Sequence, residues 1–222
     1  MEHKISIKKI EYVTHNVLHI VADKPRNYSF TPGQATELSI DKDGYRNDKR
    51  PFTFTSLPQD NELEFTIKIY PSHEGVTDQL QYLKTNDNLF IGDAWGAINY
   101  QGEGTFIAGG AGITPFIAIL KDLRYKGHLG NNKLFFSNHE EKDIIYKNNL
   151  ETWMGKNLHV ILSKENHNDY HYGHVNKDLL QKYNLDVSKP VYLCGPPKMV
   201  EAITSDLYKM GLSKSHLITE EA

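Results

Sequence analysis

Hydrophobic and polar residues alternate with a period of two from Ile5 to about Ile98. Ile5 and Ile7, Ile10 and Tyr12, Leu18 and Ile20, and later Leu63, Phe65, Ile67 and Ile69 each place apolar side chains on one face of an extended chain. Turn signals separate these runs at Thr31-Pro32-Gly33, at Asp43-Gly44 and at Pro58-Gln59-Asp60-Asn61. Short strands at this spacing predict an antiparallel sandwich or barrel. One helical interruption is expected over residues 77–83, where Thr77 or Asp78 would cap a turn carrying Leu80 and Leu83.

The period changes after about Gly104. Phe106-Ile107-Ala108 reads as a short buried strand, followed by a helix with Phe116, Ile117, Leu120 and Leu123 on one face and Gly127 at its end. Further strands are expected at 133–137, 158–162 and 191–194, helices near 176–182 and over 199–210, and a last apolar run at His216-Leu217-Ile218. Strands alternating with helices predict a parallel sheet with crossovers. The boundary between the two halves falls in residues 99–103, dividing the chain into 1–100 and 101–222.

Composition narrows the classes. The chain has 222 residues, enough for a sizeable core in two ordinary domains, so no disulfide or metal staple is required. A single cysteine, Cys194, leaves no internal disulfide framework and no cysteine-ligated iron–sulfur cluster. The formal charge of -3 supplies no field that would draw the chain to nucleic acid or anionic lipid. No stretch approaches the roughly 20 apolar residues that span a bilayer, and no apolar signal block follows Met1. The expectation is a soluble, cytoplasmic monomer.

Candidate chemistry begins at Gly109-Gly110-Ala111-Gly112-Ile113-Thr114-Pro115, a glycine turn between the strand and the helix. Glycine lets the backbone approach a phosphate closely, Thr114 suits the N-cap, and Pro115 suits the first helical turn. A helix start in this setting offers free N–H groups to a pyrophosphate, although a plain tight turn has the same sequence. Pro115 stands where the usual dinucleotide motif has its third glycine, which argues against an ordinary dehydrogenase.

Two further segments give the turn its context. Arg50-Pro51-Phe52-Thr53 is similar to an Arg-x-Tyr-Ser motif, and Cys194-Gly195-Pro196-Pro197-Lys198-Met199 to a Cys-Gly-Pro-Pro-x-Met motif. With the glycine turn, in this order, the chain resembles the ferredoxin–NADP reductase superfamily. Weaker matches at Phe30-Thr31-Pro32-Gly33-Gln34, Glu74-Gly75-Val76-Thr77 and Trp95-Gly96 extend the resemblance over nearly the whole chain. It implies an N-terminal antiparallel Greek-key β-barrel that binds flavin and a C-terminal Rossmann-like α/β domain that binds a nicotinamide nucleotide.

The resemblance also implies roles. Arg50 would contact the flavin phosphate, Pro51 and Phe52 would lie against the flavin, and the Thr53 hydroxyl would donate toward flavin N5. Phe52 and Thr53 replace the family's tyrosine and serine, which are mild changes. Without the other motifs, Arg50 reads as a solvated rim residue and Phe52 and Phe54 as a core pair. Glu74, Gly75, Val76 and Thr77 match the place that holds the flavin pyrophosphate, favouring FAD over FMN, and Thr77 reads equally as a helix cap. Ile69 and Tyr70 would flank the flavin, with Tyr70 either an adenine platform or an outward barrel tyrosine. Gly110, Gly112, Ile113, Thr114 and Pro115 would cradle the nicotinamide nucleotide. Cys194, Gly195, Pro196 and Met199 would sit beside the nicotinamide; an inert buried cysteine is the alternative for Cys194. Glu220 or Glu221 would lie by the flavin, or else form an exposed acidic tail.

Ser137 and Asn138 open the strand end that would meet the nucleotide's ribose, and the stretch 136–141 has two acids and no arginine. That favours NADH, while Lys142 and Lys164 keep NADPH open. His167, His171 and His174 cluster in a polar loop without defined ligand geometry, so no metal is expected. The implied activity is NAD(P)H-dependent flavoprotein reduction: hydride to bound FAD, then electrons to a separate acceptor such as a ferredoxin, a flavodoxin or a haem or oxygenase protein. Free flavin, ferric chelates or quinones are alternative acceptors, and a nucleotide-binding module without catalysis is the reading from another class.

Overall fold

A computed structural model describes residues 1–70 and 75–220. The first half contains β1 (His3–Thr14), β2 (Val17–Asp23), β3 (Ala35–Ile40), β4 (Arg50–Thr53), β5 (Glu62–Lys68), α1 (Val76–Gln79) and β6 (Asn88–Trp95). The strands pair antiparallel in the order β4-β3-β6-β1-β2-β5. Phe54, just past β4, then bridges to Phe65 of β5, so the first and last strands meet and the sheet closes into a barrel. Closure removes the exposed sheet edges that would otherwise invite aggregation.

The alternation in the sequence is what fills this barrel. Ile5, Ile7, Leu18, Ile20, Leu63, Phe65 and Ile67 all point inward and share one core with Phe54. Phe54 stacks on Phe30 with ring centroids 4.3 Å apart and is fully buried, as expected of it. The expected helical interruption is present, as α1 continued by a 3-10 turn over Leu80–Tyr82, but it is differently capped. Gly75, not Thr77 or Asp78, occupies the N-cap of α1, and no side chain caps it. Asp78 instead accepts from Gln81 at 2.6 Å.

The second half contains β7 (Thr105–Gly109), α2 (Thr114–Tyr125), β8 (Lys133–Asn138), α3 (Lys147–Met154), β9 (Leu158–Leu162), β10 (His171–Tyr172), α4 (Lys177–Lys182), β11 (Val191–Cys194), α5 (Pro197–Lys209) and β12 (Leu217–Thr219). Its strands are all parallel, in the order β10-β9-β8-β7-β11-β12. Successive residues of β7 enter opposite layers. Phe106 and Ala108 pack with Phe116, Ile117 and Leu120 of α2 and Leu150 of α3, whereas Ile107 packs with Leu179 of α4 and Ile203 and Leu207 of α5. Helices on both faces are why these strands read as continuous apolar runs. Each fully buried Phe, Ile or Leu of α2 contributes about 1.5–3 kcal/mol.

Helix α2 ends as the sequence predicts, with Gly127 at a φ of +69° and the His128 N–H returning to the Leu123 carbonyl. Its start differs. Gly110–Ile113 form one 3-10 turn that runs directly into α2, so the N-cap position falls to Ile113. Thr114 is already helical, and its hydroxyl donates to the Ala111 carbonyl at 3.0 Å. Among the described residues no helix is long and apolar enough to cross a membrane.

The two halves touch through more than the connecting segment. Val17 and Ile98 belong to the same core as α2, and Lys121 of α2 donates to the Thr55 carbonyl at 2.7 Å and to Glu64 at 2.8 Å. A cavity of about 860 Å³ lies between them.

Candidate active site between the barrel and the parallel sheet

Order in the parallel sheet decides where a ligand can enter. From β7 the chain runs outward through β8, β9 and β10, then returns to the other side of β7 as β11 and β12. The carboxyl ends of β7 and β11 therefore form a switch point, the crevice where open α/β sheets bind ligands. Gly109 ends β7 and Cys194 ends β11, and both line the cavity together with Ala111, Gly112, Thr114, Gly195 and Pro196. Glycine is required at 112 by contact: a Cβ there would come 2.6 Å from the Cys194 carbonyl carbon and 2.7 Å from the Gly195 Cα.

The barrel supplies the opposite wall. Thr53 pairs across the sheet with Ala35, and Ala35 with Trp95, so β4, β3 and β6 present one row of side chains to the cavity. Pro51, Phe52, Tyr70 and Thr77 extend this wall. Strand β5 adds Thr66, Ile67 and Lys68. Among the described lining residues, Lys68 is the one cation and Glu220 the one carboxylate. Its volume lies in the range of small-molecule and cofactor sites.

Cys194 is nearly buried. Burial, reinforced by the Glu220 carboxylate beside it, pushes the thiol well above its ordinary range, so it stays protonated at neutral pH. That state suits an orienting contact and opposes nucleophilic chemistry, which requires the thiolate.

Several of the residues expected from sequence do not reach the cavity wall. Arg50 ion-pairs with Asp48 at 2.6 Å, donates to the Lys49 carbonyl at 2.8 Å and is more than half exposed. Ile69, Val76 and Ile113 are buried in the core, and Gly75, Gly110, Pro115 and Met199 are not among the residues that line the cavity. The Met199 side chain backs Gly109, where a Cβ would lie 3.2 Å from its methyl carbon. Ser137 and Asn138 end β8 outside the lining; Asn138 is buried with neither side-chain amide atom hydrogen-bonded. Glu74 and Glu221 lie outside the described residues. His167 faces Glu141 at 3.6 Å and Asp169 at 3.9 Å, and among the described residues no group of three His, Cys, Asp or Glu is placed to hold a metal ion.

Ala35, Thr66, Ile67, Lys68, Ala97 and Ile98 also line the cavity, although no sequence motif marks them. Glu64, Thr66 and Lys68 are the polar members of an alternating strand, normally a solvated face. Their signal was that face itself, which the second half covers: Thr66 is only 5% exposed.

Electrostatics tie the walls together. Burial alone would raise the Glu64 carboxyl, but His19 and Lys121 outweigh it and hold it down at about 2. His19 Nε2 stands 3.5 Å from Glu64, an ionic contact when the ring is charged.

Comparison with known proteins agrees with this geometry. The family described as "FAD-binding domain" matches residues 2–122, and "Oxidoreductase NAD-binding domain" matches residues 106–205. The anthranilate 1,2-dioxygenase electron transfer component of Acinetobacter baylyi is 25% identical over 223 aligned positions, covering 94% of this chain and 63% of that protein. The chain thus spans about three-fifths of the length of such curated relatives. The cytochrome b5 reductase domain of Ulva prolifera nitrate reductase superposes with a TM-score of 0.86 at 20% identity, over 99% of this chain and 97% of that one. A ferredoxin NADP+ reductase from Neisseria gonorrhoeae, solved with bound FAD and NADP, gives 0.85 at 17% identity, over 99% and 98%. At these identities the two structures establish the fold. The family match covers more than half of the sequence, and with it the chain belongs to the FAD-binding domain family, within the ferredoxin–NADP reductase-like superfamily.

Proposed function

We propose that the chain is an NAD(P)H-dependent flavoprotein reductase that moves reducing equivalents from NAD(P)H through bound FAD to a separate electron acceptor. The observation that carries this reading is the shared cavity, where Thr53 of the barrel and Cys194 of the parallel sheet line one space. A flavin, when bound, supplies two-electron acceptance from a nicotinamide and one-electron release to a partner. The chain's own residues bind, orient and exclude water. Phe52 offers a flat apolar face, the Thr53 hydroxyl a donor, and Lys68 a cation suited to phosphate. Gly112 lets the backbone of the nucleotide turn pack against β11, and the protonated Cys194 offers a small apolar surface with no reactive thiolate.

Arg50 would serve the flavin phosphate by exchanging its Asp48 partner for a phosphate oxygen. Thr77, Gly75 and Glu74 would serve the second phosphate of FAD; because α1 has only four residues, hydroxyl and N–H donation outweigh any helix dipole there. NADH is favoured over NADPH. The stretch 136–141 near the end of β8 offers no arginine for a 2′-phosphate, and its two acids are paired, Glu140 with Lys142 and Glu141 with Lys147 and His167. The acceptor is a ferredoxin, a flavodoxin or a haem or oxygenase protein, in keeping with the electron-transfer name of the Acinetobacter relative. A cytoplasmic monomer divided at 1–100 and 101–222 completes the reading.

The test is the cofactor. The purified chain, reconstituted if colourless, is expected to be yellow and to release FAD on heating, identified by chromatography. Release of FMN would overturn the choice of flavin, and failure to take up any flavin would overturn the function.

A further inference from the structure

Tyr146 has a backbone that few tyrosines adopt. Its φ of +53° and ψ of +38° lie in the left-handed region, where a bulky side chain is strained unless its surroundings hold it. It stands at the N-cap of α3, and its carbonyl accepts from the Leu150 N–H at 3.0 Å. What the strain achieves is direction: the side chain leaves the parallel-sheet half and reaches the barrel. Its hydroxyl is 3.1 Å from the Thr66 hydroxyl, which is 3.2 Å from that of Thr55. Its ring meets His19, the residue paired with Thr66 across β2 and β5, edge-on at 6.3 Å.

Thr66 lines the cavity, and Thr55 is fully buried behind it. The Lys121 ammonium donates to the carbonyl of the same Thr55 and to Glu64, two residues from Thr66. Two side chains from one half, Tyr146 and Lys121, therefore converge on one short stretch of the cavity wall in the other. We infer that Tyr146 is a positioning residue for hydride transfer: through Thr66 it fixes the distance between the flavin-side and nucleotide-side walls of the cavity. This rests on the reading proposed above. Hydride transfer depends steeply on the separation of donor and acceptor, so a wall that drifts costs rate more than affinity.

Tyr146→Phe keeps the ring and its packing on His19 and removes only the hydroxyl. In the full flavin-loaded chain, anaerobic reduction by NADH is followed by stopped flow across NADH concentrations, beside Thr66→Val and Thr66→Ser. The limiting reduction rate is expected to fall roughly tenfold in Tyr146→Phe and in Thr66→Val, while the half-saturating NADH concentration stays within about twofold. Thr66→Ser, which restores a hydroxyl, should recover most of the rate lost in Thr66→Val. Tyr146→Phe and Thr66→Val combined should be no slower than Thr66→Val alone, which has already lost the Tyr146 contact. Hydrogen exchange of the full chain before NADH is added gives a second readout: Tyr146→Phe should speed exchange in residues 62–68 and 143–150. A limiting rate within about twofold of wild type, or exchange unchanged in both segments, overturns the inference and leaves the proposed function standing. A wild-type chain that takes up flavin but is not reduced by NADH or NADPH overturns both.

Discussion

Cys194 shows how one residue's surroundings choose its chemistry. The sequence leaves it either an inert core thiol or a group beside a substrate, and the structure places it at the cavity wall, nearly buried and beside Glu220. Burial and the neighbouring carboxylate both disfavour the thiolate. A thiol-specific alkylating reagent at neutral pH should therefore modify native Cys194 far more slowly than the unfolded chain. Glu220→Gln removes one of the two causes and should speed the reaction, because a lower thiol pKa raises the thiolate fraction at neutral pH. Mass-spectrometric counting of modified chains over time checks this. Native labelling as fast as in denaturant would mean that Cys194 is not packed as described.

Local elements were legible where a single period or a cap rule decides them. The strands at 158–162 and 191–194 and the end of α2 at Gly127 fall where hydrophobic runs and glycine place them. Other elements were not. Helix α3 buries only Leu150 and Met154, too little apolar periodicity in eight residues to separate it from a loop. Thr114 had the right residue type for a cap, but the 3-10 turn before it already satisfied the geometry, and its hydroxyl turned back to Ala111. Of the candidate site, the segments were readable and the walls were not: which of 50–53 faces the cavity depends on barrel closure, and Thr66 and Lys68 became lining residues only because another half covers them. The glycine turn is itself an element that can be tested. Gly110 has a φ of +51° with open space around it, whereas a Cβ on Gly112 collides with the backbone of β11. Gly110→Ala should cost about 1 kcal/mol through backbone strain, and Gly112→Ala about 1–3 kcal/mol through overpacking. Gly112→Ala alone should weaken NADH binding, because it moves the turn away from β11. Thermal melts and NADH titrations of both variants check the pair; equal effects would contradict the close approach.

At the scale of the molecule, the two halves meet through shared packing and one ion pair. Lys121 and Glu64 join them, and the Glu64 carboxyl is held near 2 against an ordinary value of 4.5. A carboxyl depressed on folding stabilises the folded state above its unfolded pKa, and that stability is lost as pH falls through the folded value. The loss should run from about pH 4.5 down to about pH 2. Because the pair is partly buried, its contribution is roughly 1–3 kcal/mol. Glu64→Gln should lower stability at neutral pH and show a flatter acid limb than wild type in denaturant titrations; parallel limbs would mean that the pair does not join the halves. In the proposed function the barrel's flavin side and the sheet's nucleotide side face each other across one cavity. The most direct measurement is the visible absorbance of the flavin-loaded chain mixed with NADH in the absence of oxygen. The yellow colour is expected to bleach fully with one equivalent of NADH per bound flavin; a flavin that stays oxidised with excess NADH or NADPH would overturn that facing arrangement.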